Sequence, residues 1–106
     1  MKPILLFLTC ANNQEADKIS NALLDKQLVV CIKKFPVSSK FLWQGKKSSA
    51  EEVILLMDSE KSLFSQIEKE IKKLHSYETP VLISVAVNQS SFGIDKWLKE
   101  ELLNSK

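Results

Sequence analysis

Leu28-Val29-Val30-Cys31-Ile32, continued at alternating positions by Phe35, Val37, Phe41 and Trp43, is the stretch whose reading decides the fold. It predicts a long strand, because β-branched and aromatic residues suit a pleated, half-buried surface. Pro36 lacks an N–H and interrupts the ladder, so this long, bent strand is expected to have a break there and to lie at a sheet edge or carry a bulge. The polar run Gln44-Gly45-Lys46-Lys47-Ser48-Ser49 reads as a turn, and Glu52-Val53-Ile54-Leu55-Leu56-Met57 as the returning strand. A long hairpin therefore occupies the middle of the chain.

Working outward, each arm of the hairpin continues into the same pattern. Before it, Ile4 to Thr9 reads as a buried strand. Asn12 and Glu15 then have the spacing of a capping box, and a helix carries Ala16, Ile19, Ala22 and Leu23 on one face to about Gln27. After it, a second helix is expected from Ser59, with Ser59 or Ser62 as its cap and Leu63, Phe64, Ile67, Ile71 and Leu74 as its apolar stripe. Pro80 opens a strand over 81–87. A third helix follows Ser90-Ser91, with Ile94, Trp97, Leu98 and Leu102 facing inward.

Two βαβ halves joined by a hairpin describe an α+β fold, the ferredoxin-like βαββαβ sandwich, here with an extra C-terminal helix and a long bent second strand. Right-handed crossovers make the first strand central, beside the third and fourth, with the second paired to the third. Residues 1–106 then form a single domain, long enough to bury roughly 65% of the unfolded surface. The strands at 4–8, 53–57 and 81–87 are apolar on both parities, although helices cover one sheet face only. The other face needs a cover, which predicts a homo-oligomer with sheets packed on one another.

Composition narrows the function. All 15 basic residues are lysine, so the guanidinium fork that dominates phosphate and guanine recognition is missing, and nucleic-acid binding is not expected. The apolar start is too short for a membrane span and has no small-residue cleavage site, so a cytoplasmic protein without membrane contact is expected. Cys10 and Cys31 fall in the first two strands as reduced, buried thiols. The chain has one histidine, two glycines and no nucleophile elbow or phosphate loop, and no enzyme is predicted. An acylphosphatase-type site lacks its arginine, and an RNA-recognition sheet lacks its aromatics between Val53 and Met57.

Chemistry-bearing residues cluster in Leu74-His75-Ser76-Tyr77-Glu78-Thr79-Pro80, between a helix signal and a strand signal. His75 reads as a cation at a helix C-terminus or as a metal ligand; a closed zinc site needs about four donors, and one His with two Cys at no paired spacing falls short within one subunit. Tyr77 and Glu78 could meet a neighbouring subunit or a ligand, and Trp43 reads first as a hairpin packing residue.

Taken in order, these residues resemble the CutA family, small trimers named for tolerance to divalent cations. The resemblance rests on Thr9, Ala16, Ile19, Leu28-Val29-Val30-Cys31, Pro36, Trp43-Gln44-Gly45-Lys46, Glu52, His75-Ser76-Tyr77-Glu78-Thr79-Pro80 and Trp97-Leu98. It implies a ferredoxin-like homotrimer whose sheets pack around a threefold axis, with a non-enzymatic role in response to metal ions. It also implies copper or another divalent cation as ligand, no required cofactor, and Cys31 and His75 as the metal-associated positions. The family architecture is similar to that of PII signalling trimers. Two other readings follow: a sensor binding a metabolite in a subunit cleft near Trp43, Lys46, Glu52, His75, Tyr77 and Glu78, or an interaction module without a ligand. The chain departs from the family pattern at Asp58-Ser59 (lysine-threonine), Ser76 (proline), Val81 (glutamate) and Ile94 (tyrosine). At Asp58 the charge is reversed, so an anionic ligand of the usual cleft would meet repulsion.

Overall fold

A computed structural model describes residues 1–103. Its elements are β1 (Pro3–Cys10), α1 (Asn13–Asp25), β2 (Cys31–Trp43), β3 (Lys46–Glu60), a 3₁₀ turn (Lys61–Leu63), α2 (Phe64–Leu74), β4 (Leu82–Ala86) and α3 (Ile94–Glu101). They form a four-stranded antiparallel sheet in the order β2-β3-β1-β4. This is the ferredoxin-like α+β layout with the neighbours that crossover handedness predicts.

Alternation along β1 builds the core. Ile4, Leu6, Leu8 and Cys10 are buried, and they meet Val53, Leu55 and Met57 of β3, Ala16, Ile19 and Leu23 of α1, and Ile67 and Ile71 of α2. The opposite parity makes the outer face. One rung runs Lys33–Leu56–Phe7–Ile83, and beside it lie Phe35–Ile54–Thr9 and Asp58–Leu5–Val85. Phe7, Phe35, Ile83 and Val85 are 37%, 40%, 53% and 45% exposed, so an apolar sheet face lies open to water.

β2 and β3 pair without interruption from Cys31↔Asp58 to Trp43↔Lys46. Of the two outcomes expected from Pro36, the structure has the first: β2 lies at the sheet edge, where a residue without N–H costs no ladder bond on its solvent side, and the register runs through Pro36 without a break or bulge. The turn is also tighter than expected. Gln44 and Gly45 alone make it, with φ of 52° and 77°, the positive pair of a type I′ turn whose twist matches the strands. Lys46 to Ser49 therefore belong to β3. Since β1 pairs only with Val53–Glu60, residues 37–52 form a two-stranded arm beyond the sheet.

The start of β2 is a second correction. Leu28 and Val29 are buried but precede the strand. The Leu28 N–H donates to the Leu23 carbonyl and the Gln27 N–H to that of Leu24, both at 3.0 Å, with Gln27 at φ 57°. This is a Schellman motif, and the buried pair Leu23 and Leu28 is its hydrophobic contact. Apolar residues that read as strand thus close α1. Likewise Ser59 and Ser62 do not cap α2. β3 runs on to Glu60, the Ser59 hydroxyl donates 2.6 Å to the Leu28 carbonyl, and the Ser62 hydroxyl donates to the Glu60 carboxylate. In α3, Leu98 and Leu102 are buried and Ile94 packs on the core, but Trp97 is 41% exposed rather than inward.

Gln27 occupies a left-handed position that costs an L-residue roughly 1 kcal/mol. Gln27→Gly is expected to stabilise by about 0.5 kcal/mol, the gain being offset by loss of the side-chain bond to the Glu101 carbonyl. Gln27→Val is expected to destabilise by more than ~1 kcal/mol. Urea midpoints at unchanged slope check both.

Candidate functional site

Four chain segments meet at one end of the sheet: the end of β1, the start of α1, the end of α2 and the approach to β4. Asn12 caps α1 by accepting the Glu15 N–H at 2.8 Å. Glu15 does not return the favour to Asn12 as a capping box would. Its Oε2 accepts the Ala11 N–H and its Oε1 the Ser76 N–H, each at 2.7 Å. One carboxylate thus joins the β1–α1 loop to the α2–β4 joint. At Ser76, where the resemblance expects proline, the N–H is what makes the second bond.

His75 ends α2 in extended conformation, its N–H bonded to the Ile71 carbonyl. Its side chain is fully buried. The Tyr77 N–H donates to Nδ1 at 3.1 Å, which assigns the ring proton to Nε2, and Nε2 donates to the Thr9 carbonyl at 2.7 Å. Both ring nitrogens therefore clamp backbone. Tyr77 stacks beside the ring, centroids 4.9 Å apart and tilted 55°, and its hydroxyl donates to Glu52 Oε2 at 2.5 Å. Glu52 is buried and precedes Val53, the rung partner of Cys10.

Cys10 Sγ, a Glu15 carboxylate oxygen and a His75 ring nitrogen all lie within 4.8 Å of one another. Burial, followed by the nearby Glu15 and Glu52 carboxylates, pushes the Cys10 thiol up to about 12. The Tyr77 phenol is pushed up by burial and then by its bond to Glu52. For Glu15 burial acts upward, but the bonds from Ala11 and Ser76, with His75 beside it, outweigh burial and hold the carboxyl below its ordinary value.

The residues singled out from sequence separate into three places. Glu52, His75 and Tyr77 come together at the joint, where Glu78 is exposed. Trp43 and Lys46 close the arm tip, six residues along β3 from Glu52 and so about 20 Å away. Cys31 pairs with Asp58, whereas the His75 ring is bonded at Thr9, opposite Ile54, about 14 Å along the same strand. Cys31 and His75 do not share an ion within one chain. Cys31 is half-buried rather than buried, with Lys33 Nζ 3.5 Å from its sulfur. Cys10 and Glu15 are the members that sequence reading passed over. Capping-box spacing singled out Glu15, but the bonds its carboxylate makes, to Ala11 and Ser76, depend on the fold.

The fold and this joint define a class, a ferredoxin-like sandwich with a projecting β-arm and a closed Cys–Glu–His–Tyr network. Residues 4–101 match the family described as CutA1 divalent ion tolerance protein, and the chain belongs to that family. It is 30% identical over 95 residues to the divalent-cation tolerance protein CutA of Archaeoglobus fulgidus, covering 90% of this chain and 93% of that one. It is 29% identical to the Thermotoga maritima protein of the same description, covering 94% and 99%. The Archaeoglobus fulgidus structure, described as a periplasmic divalent cation tolerance protein, superimposes with a TM-score of 0.91 at 28% identity over 93% of this chain and 97% of that one. CutA1 from Pyrococcus horikoshii gives 0.89 at 26% identity, over 94% and 98%.

Two outcomes follow. Because the Glu15 carboxyl is depressed in the folded state, its ionised form stabilises the protein above the unfolded-state value near 4.5, and that contribution is lost as pH falls through the lower folded value. Glu15→Gln is expected to cost ~2 kcal/mol at neutral pH and less in acid, read from unfolding midpoints across the range. Tyr77→Phe leaves the buried Glu52 carboxylate without its donor and is expected to cost about 1–3 kcal/mol by the same measurement.

Proposed function

We propose that this chain acts as a homotrimer in the response to divalent metal ions, with copper or a similar cation as ligand and no catalytic step. The observation that carries the assembly is the open apolar face of Phe7, Phe35, Ile83 and Val85, joined to an arm whose Phe41, Leu42 and Trp43 are 41%, 75% and 49% exposed. A two-stranded ribbon is marginal alone in water, and exposed apolar surface on this scale favours a second copy of the same face. The metal role is supported by membership of the divalent ion tolerance family, and the threefold form is what the resemblance to small trimers implies.

No cofactor is required to complete the fold. Copper held jointly by Cys31 and His75 needs those residues from two subunits, given their separation along one chain. We place the protein in the cytoplasm, a reading supported by the two free thiols. Among the described residues no helix is long and apolar enough to cross a membrane. A metabolite in a cleft formed by Trp43 and Lys46 of one subunit and Tyr77 and Glu78 of another is the second reading, favoured by the exposure of Trp43 and Glu78.

Sedimentation at micromolar protein is expected to give three chains per particle, and Ile83→Lys is expected to give a folded monomer; a monomeric native protein would overturn the reading. In a copper titration, Cys31→Ser and His75→Ala are each expected to weaken binding at least tenfold, and unchanged affinity in both removes that pair.

A further inference from the structure

We infer that the cavity between α3 and the end of the sheet is a site for a small primary ammonium ion with a short hydrocarbon tail, and that Asp58 is its counter-ion. The cavity lies where β1 begins and β3 ends, about 17 Å along β1 from the joint at Thr9. Its volume is about 230 Å³, the room of roughly seven waters at ~30 Å³ each, which suits a ligand smaller than a nucleotide or a peptide. Hydrogen bonds hold its walls. The Val87 N–H donates to the Pro3 carbonyl and ties the end of β4 to β1. The Leu103 N–H on the Gln27 carbonyl, with the Gln27 side chain on the Glu101 carbonyl, fixes the end of α3 against the chain leaving α1.

Asp58 is the one charged residue lining this cavity. No donor among the described residues bonds to its carboxylate, and Lys33 Nζ stands off at 4.0 Å on a side chain that is 65% exposed. An anion is repelled there, whereas a cation meets a carboxylate whose bonding positions are open. Hydroxyls of Ser59, Ser90 and Ser91 complete the polar side. The Ser59 hydroxyl donates to the Leu28 carbonyl, so its oxygen is left to accept. An ammonium group brings three N–H donors and no acceptor, which matches one carboxylate and several hydroxyl oxygens. A hard metal ion takes about six or more oxygens and meets only one ionised group here. Ile4, Ile94 and Leu98 form the apolar wall, against which a hydrocarbon tail is shielded from water. No cation lines the cavity to pair a ligand carboxylate, so amines are selected over amino acids. Ser90 and Ser91 are exposed, which puts the entrance on the loop after β4.

This site is independent of the metal reading, since it includes neither Cys31 nor His75 and its ligand is organic. Chelator-treated full-length protein is titrated with n-butylammonium chloride, and binding is read from amide NMR shifts and calorimetry. Saturable shifts are expected at Leu5, Ser59, Val87 and Ile94, with one amine per chain. n-Butanol is expected to bind about tenfold more weakly, the contribution of one bond to a charged group, and butyrate is expected not to bind. Asp58→Asn is expected to lose about tenfold for the amine and nothing for the alcohol, while Asp17→Asn, outside the cavity, keeps native affinity. Sedimentation of each variant without amine verifies its assembly. Absence of a saturable shift with the amine, or butanol or butyrate binding as tightly as the amine, overturns the site on native protein alone. So does an amine affinity unchanged in Asp58→Asn, or an equal loss in Asp17→Asn.

Discussion

The structure depends on a single carboxylate satisfying two backbone N–H groups that no ladder or helix can reach. Where β1 turns into α1 and α2 turns toward β4, the chain must leave regular structure while still close to the core. Backbone donors left there without partners would cost about 1–3 kcal/mol each. Glu15 takes the N–H groups of Ala11 and Ser76, and His75 supplies the complementary bond to the Thr9 carbonyl. Together they hold the α2–β4 joint against the end of β1. The register of β4 follows, beginning with the Thr9 N–H on the Val81 carbonyl and ending with the Val87 N–H on that of Pro3. The β3-β1-β4 order of the sheet is therefore closed at one end by side chains.

Much of this fold was legible because periodicity reports which face is buried. The apolar runs of β1, β3 and β4, the helical stripe Leu63, Ile67, Ile71 and the two βαβ halves around one hairpin led to the observed strand order. What misled were residues whose hydrophobicity serves a local bond. Leu28 and Val29 read as strand because they are apolar, yet Leu28 is the hydrophobic partner in a helix cap whose left-handed residue is Gln27, where glycine would have signalled it. Ser59 and Ser62 read as helix caps because serine caps helices often, but Ser59 is spent on the Leu28 carbonyl. The site was half legible. A cluster at 75–78 could be seen in the sequence, whereas its partners Cys10, Glu15 and Glu52 lie 25 to 65 residues away and meet it only through the fold.

The arm and the outer face pose a different constraint. An edge strand with free N–H and C=O groups invites uncontrolled pairing, and β2 answers with Pro36 and with Lys33, Lys34 and Lys40 along its length. Lysines at an edge, where a flat apolar face lies behind them, permit one kind of association and discourage others. Lys33 also pairs with Asp58 at 4.0 Å. Asp58, where the resemblance expects lysine, thus has a local cation beside it, and both groups are exposed enough that the pair adds little stability.

The closed joint also bears on what chemistry this end of the sheet can perform. A thiol raised to about 12 carries almost no thiolate at neutral pH, so Cys10 is a poor nucleophile while the network is intact. The phenol of Tyr77 is held protonated by burial and by the Glu52 carboxylate it serves, and both nitrogens of His75 are engaged by backbone. General acid–base work needs a group with an open bonding position near the operating pH. The hydroxyl of Tyr77 and both ring nitrogens of His75 are already bonded within the network.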